Sequence, residues 1–185
     1  PINWRRPRTD RAPPVKVLGI DPGTAATGYG VVEAGDRGTL RLIECGVIRP
    51  PARAPLATRL GAIHGELVEL LARHTPDVMA VEEAFHARNA RTTLVLGHAR
   101  GVILLAADQA GVAIAEYSPA RIKQTVTGRG AALKPQVGFM VAQLLRLKSA
   151  PSPADAADGV AVALTHLLRG RVRLPLRPAP GVRLA

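Results

Sequence analysis

The chain has 185 residues, 47% hydrophobic, 21% charged and only 3% aromatic, which suits one well-buried core of Val, Leu, Ile and Ala and is too short for two of ordinary size. No apolar run approaches the roughly 18 residues that cross a bilayer, and no apolar segment follows the basic N-terminus, so neither a membrane span nor a secretory leader is expected. Most of the net charge of +11 sits in the two tails, a basic middle of the body beside acidic flanks suggests a polyanionic partner, and a single cysteine, Cys45, fits a reducing cytoplasm.

Residues 1–14 (PINWRRPRTDRAPP) carry Arg and Pro without periodicity and read as a flexible basic arm. Lys16 to Asp21, Gly28 to Glu33 and Leu40 to Ile48 have strand character, with Gly35 to Gly38 as a turn, which predicts a three-strand meander. Leu56, Leu60, Ile63, Leu67, Leu70 and Leu71 then recur at helical spacing, ending near His74 and Pro76. Val78 to Glu83 reads as a buried strand finishing on acids, and residues 90–110 as a largely apolar helix stopped by Gly111. Val112 to Tyr117 is a fifth strand, and Ser118-Pro119 opens a short helix. Thr127-Gly-Arg-Gly-Ala-Ala forms a loop before a helix over Lys134 to Leu147. Ser152 is the expected N-cap of a last helix running to about Leu168. The predicted class is α/β, a five-stranded mixed sheet flanked by helices, over residues 15–169, followed by a basic tail over 170–185.

Charge is unevenly distributed. Between residues 84 and 150 the bases Arg88, Arg91, Arg100, Arg121, Lys123, Arg129, Lys134, Arg146 and Lys148 face only Asp108 and Glu116, while the flanking segments of the body are net acidic. The acids Asp21, Glu82, Glu83, Asp155 and Asp158 lie at strand ends or on the first turns of the last helix. Each has a local reading, as a turn former, a helix N-terminal acid or a solvated strand end. Gathered at one sheet edge, four carboxylates would repel one another unless cations intervened. Their oxygen chemistry selects Mg²⁺ or Mn²⁺, and two such ions about 3.5–4 Å apart can drive phosphodiester cleavage. Other chemistries lack their parts. His64, His74, His86, His98 and His166 have no zinc-ligand spacing and read as surface or lightly buried, Cys45 reads as core, and the phosphate-loop and G-x-S-x-G patterns are missing.

The stretches "GIDPGTAATGYGVVE", "AVEEAFHARNARTTLVLGHARGV", "YSPARIKQTVTGRGAALKPQV" and "PADAADGVAVALTH", in this order, resemble the RuvC family of bacterial Holliday-junction resolvases, members of the ribonuclease-H-like superfamily. The resemblance spans about Lys16 to Arg169. It implies a homodimeric, Mg²⁺-dependent endonuclease that nicks two strands of a four-way DNA junction symmetrically, leaving 5′-phosphate and 3′-hydroxyl ends, and that works beside the RuvA and RuvB branch-migration proteins. The matching metal carboxylates are Asp21, Glu82, Asp155 and Asp158. Lys123 and Lys134 match the important basic positions, and Phe85 matches an aromatic that stacks on bases at the crossover. Arg88, Arg91, Arg121 and Arg129 are further candidate DNA contacts from the basic segment. The helix over 90–110 matches part of the dimer contact.

The arm before Val15 is longer than the family's usual start, and Glu83 stands beside Glu82 where the family often has another residue. Motif register favours Glu82, because successive strand side chains point to opposite faces. The opening stretch also resembles the phosphate-binding entry strand of actin-like and sugar-kinase ATPases, which need a second such hairpin; one copy occurs here. A non-cleaving binder of branched DNA is a second alternative, disfavoured by an acid at each metal position.

Overall fold

The computed structural model describes residues 14–35, 38–83 and 90–169. The arm, apart from Pro14, and the tail over 170–185 lie outside the described residues, as do Phe85, His86 and Arg88. The fold begins with β1 (Val15–Asp21), whose alternation divides the protein into two layers. Val17 joins one buried cluster, while Leu18 and Ile20 join another on the opposite face. β1 pairs antiparallel with β2 (Thr27–Ala34), and β2 with β3 (Leu40–Ile48), as the expected meander. On its other edge β1 pairs parallel with β4 (Val78–Glu82), and β4 parallel with β5 (Ala113–Tyr117). The order is β3-β2-β1-β4-β5 in a five-stranded mixed sheet.

Parallel neighbours need crossovers, and the helices supply them while covering both faces. α1 (Leu56–His74) and α2 (Ala90–Gln109) bury Ile63, Leu67, Leu71, Ile103 and Ala106 against the Leu18 and Ile20 face. α3 (Pro119–Thr127), α4 (Lys134–Leu145) and α5 (Ala154–Arg169) cover the Val17 face. On α5, Val160, Val162 and Leu164 are completely buried, each worth about 1.5–3 kcal/mol relative to exposure. The helix presses close because β1 offers no side chain at Gly19, where a Cβ would stand 2.3 Å from the Ala163 nitrogen. α3 starts as expected, the Ser118 hydroxyl accepting from the Arg121 amide, with Pro119 in the first turn. No helix among the described residues is long and apolar enough to cross a membrane.

Three expectations need correction. α4 ends at Leu145, not Leu147: Arg146 turns left-handed at φ 53°, and Leu147 leaves the helix to pack against the core. α5 begins at Ala154, with the Pro153 carbonyl accepting from the Ala156 amide at 3.0 Å, so Ser152 lies one position too early to be the N-cap. His74 and His166 are buried because each has found a polar partner: Glu44 at 2.8 Å from His74 Nε2, and the Tyr117 hydroxyl at 2.8 Å from His166 Nδ1.

Candidate active site

β1 and β4 run parallel with Ile20 beside Val81, so the next residues, Asp21 and Glu82, end side by side at the carboxyl edge of the sheet. α5 lies over that edge with Asp155 in its first turn and Asp158 three residues later on the same side. From α3 and α4 come Lys123 and Lys134. Asp21, Glu82, Asp158, Lys123 and Lys134 line one cleft of about 200 Å³, walled by Pro119, Ile122, Val137 and Ala161. Asp155 is not part of the lining, but its charge reaches Asp21 and Lys134. Glu83 follows the last residue of β4, its amide donating to the Tyr117 carbonyl at 2.8 Å, and is not part of the lining.

The apolar wall and the crowding of acids change the chemistry of the carboxyls. Burial, reinforced by the charges of Asp158 and Asp155, pushes Asp21 up to about 6, against the opposing pull of Lys134 and a hydrogen bond with Glu82. Burial and the charges of Asp21 and Asp158 push Glu82 up to about 8, opposed by Lys134 and Lys123. Lys134 donates to Asp158 Oδ2 at 2.7 Å. That hydrogen bond, outweighing the opposing effect of burial, raises the lysine above its ordinary value.

Among the described residues no three His, Cys, Asp or Glu side chains are drawn into a ready ligand cage. The Lys134 ammonium instead holds Asp158. The donor set nonetheless fits a hard divalent cation. Its carboxylate oxygens are hard donors, and Asp21 and Glu82, raised first by burial and then by the neighbouring acids, are groups whose charged forms a dication would stabilise.

Of the remaining sequence-predicted residues, those that the structure describes are dispersed. Arg121 is exposed on the first turn of α3 and Arg91 on the first turn of α2. Arg129 is exposed and lines a separate cleft of about 400 Å³ with Thr127, Gln136 and Phe139. One residue that sequence reasoning missed adjoins the site. Arg59, on the first turn of α1, donates from Nη2 to the Thr24 carbonyl in the loop that follows Asp21. It belongs to no motif, and its helix packs on the opposite face of the sheet, so spacing carries no sign of it.

A family model described as crossover junction endodeoxyribonuclease RuvC matches residues 17–166. A crossover junction endodeoxyribonuclease RuvC from Pelotomaculum thermopropionicum is 52% identical over 151 residues, covering 81% of this chain and 91% of that protein. The solved structure of Thermus thermophilus RuvC matches with a TM-score of 0.78 at 40% identity, over 85% of this chain and 96% of that one. T. thermophilus RuvC in complex with Holliday junction substrate matches with a TM-score of 0.77 at 37% identity, over the same 85% and 96%. The chain belongs to the RuvC family of crossover junction endodeoxyribonucleases.

Proposed function

We propose that the chain is a structure-selective endonuclease that resolves four-way DNA junctions by paired symmetric nicking, in homologous recombination and DNA repair. The observation that carries this reading is the meeting of Asp21, Glu82 and Asp158 with Lys123 and Lys134 in one cleft at the carboxyl edge of the sheet, in a chain whose relatives are crossover junction endonucleases.

Asp21, Glu82, Asp155 and Asp158 would hold two Mg²⁺ ions, with Mn²⁺ as a substitute. Such ions, when bound, make water nucleophilic at neutral pH and stabilise developing charge on phosphate oxygens. The chain's own groups do the rest. Lys123 and Lys134 bring ammonium donors to the phosphate, and the Lys134 bond to Asp158 keeps that cation at the mouth of the carboxylate cluster. Ile122, Val137 and Ala161 keep the wall apolar, which strengthens every charge interaction inside. The water oxygen joins phosphorus as the bond to O3′ breaks. The departing oxygen takes up a proton to become the 3′-hydroxyl, and the phosphate stays on the 5′ end.

Two symmetric nicks require two sites, which a homodimer supplies. The support for a dimer is on α2, where Leu94 is 64% and Leu105 49% exposed. With Leu60, Gly97, Gly101 and Val102 they line an apolar cleft of about 540 Å³. Phe85 is proposed to stack at the crossover, and Arg88, Arg91, Arg121 and Arg129 to contact the DNA. The RuvA and RuvB branch-migration proteins are proposed partners, and the cytoplasm the proposed location. The reading is tested on a synthetic mobile junction and a matched linear duplex with Mg²⁺. Paired nicks at symmetric positions in the junction and little cutting of the duplex are expected; equal cutting of both would refute junction selectivity.

A further inference from the structure

The loop between β1 and β2 starts from Asp21 and leads into the strand that lies against the backbone of Asp155. It leaves Asp21 at Pro22 and re-enters the sheet at Thr27, followed by Gly28, which lies under the backbone of Asp155 so closely that a Cβ there would be 1.9 Å from the Asp155 carbonyl oxygen. The neck of the loop is closed internally: the Thr27 hydroxyl donates to the Gly23 carbonyl at 2.6 Å and accepts from the Gly23 amide at 3.4 Å. Its outer part, Thr24 to Ala26, is held differently. Among the described residues the side-chain hydrogen bond that reaches it comes from Arg59, across the sheet edge on α1.

The choice of an arginine there is informative. Its Nε is buried and has no hydrogen-bond partner among the described residues, an arrangement that destabilises and that an apolar residue would avoid. The first turn of α1 therefore keeps a partly desolvated guanidinium whose described bond goes to loop backbone. Its effect on Asp21 is one of position, since the charges that act on the Asp21 carboxyl are those of Asp158, Lys134 and Asp155.

Resting on the nuclease reading above, we infer that Arg59 is a positioning residue for cleavage: by donating to the Thr24 carbonyl it holds the Pro22–Ala26 loop, and through it the spacing of Asp21 from the Asp155 turn of α5. The comparison uses the full chain with Arg59→Met, which keeps the stem and removes the donor, and Arg59→Lys, which keeps a donor of similar reach. Four quantities are measured: the single-turnover cleavage rate on a mobile junction, the junction Kd, the metal-free Tm, and the Mg²⁺ concentration giving half the thermal shift without DNA.

Misplacement of a reacting group by about 1 Å can cost on the order of 100-fold in rate. Arg59→Met is therefore expected to cut about 10- to 100-fold more slowly, with junction Kd within about twofold and a Mg²⁺ midpoint several-fold higher. Arg59→Lys is expected to recover most of both losses. Wild-type rate and midpoint in Arg59→Met would overturn the inference. So would a parallel loss of junction affinity, which would make Arg59 a phosphate contact, or a collapse of the metal-free Tm, which would make it a plain structural anchor. If the wild type itself fails to cut, the nuclease reading falls, while the Mg²⁺ midpoints still decide whether Arg59 orders the carboxylates.

Discussion

Gly28 lies against the first turn of α5 with no room for a side chain: a Cβ added there would be 1.9 Å from the carbonyl oxygen of Asp155. This contact sets the height of the helix over the strands, and so the distance from Asp155 and Asp158 to Asp21. Gly28→Ala must push the helix start away or break the β1–β2 pairing. It is expected to destabilise by about 1–3 kcal/mol, as overpacking does, and to abolish junction cleavage. Gly65 on α1 has open space around the same added atom, so Gly65→Ala should raise stability by about 0.5–1 kcal/mol and leave cleavage unchanged. Urea unfolding and cleavage assays on both variants check the contrast.

The raised pKa values of Asp21 and Glu82, about 6 and about 8, have a consequence for stability. Between the ordinary carboxyl values and these, the native state binds more protons than the unfolded chain, so stability falls as pH rises through that window. The metal-free protein should therefore show a lower Tm at pH 8 than at pH 5.5. Asp21→Asn should raise the metal-free Tm at pH 8 by about 3 °C or more, and Mg²⁺ should stabilise the wild type much more than this variant. Differential scanning fluorimetry with and without Mg²⁺ measures both.

Away from the cleft, Glu44 ties β3 to α1 and β2. It accepts from the Tyr29 hydroxyl at 2.9 Å and lies 2.8 Å from His74 Nε2, with Arg73 at 3.3 Å. Burial pushes Glu44 up, but the hydrogen bonds from Tyr29 and His74 and the nearby cations outweigh it and hold the carboxyl below its ordinary value. The contribution is present above the ordinary carboxyl range and is lost as pH falls through the native value. Glu44→Ala should thus cost about 1–2 kcal/mol at pH 7, with the difference from wild type shrinking towards pH 3. Cleavage should be retained, which tests that this network is structural.

The apolar face of α2 predicts an assembly. Leu94→Glu places a charge in the cleft lined by Leu60, Gly97, Gly101 and Val102. Sedimentation velocity should register a dimer for the wild type and a monomer for the variant. The variant should then leave singly nicked junctions in place of paired nicks.

Much of this was legible from residue order because the site sits where elements end. Asp21 follows an alternating run that stops at Pro22-Gly23, and Glu82 follows another, so pairing β1 with β4 was enough to bring them together. Asp158 and Lys134 were legible from motif and helix position. Asp155 was only partly so: it influences the cleft by charge without lining it. What escaped depends on tertiary partners. Nothing local marks the buried partners of His74 and His166, the left-handed Arg146 that ends α4, or Arg59 reaching the loop from the far layer. The Ser152 cap had the right composition, but the helix starts one residue later.

The central claim, that the carboxylate cleft performs the cleavage, is tested most directly by Asp21→Asn with a mobile four-way junction and Mg²⁺, scoring binding and nicking in the same samples. Junction affinity is expected to stay close to that of the wild type, because Lys123, Lys134 and the exposed arginines are untouched, with nicking reduced at least about 100-fold. Undiminished paired nicking by Asp21→Asn would contradict the claim.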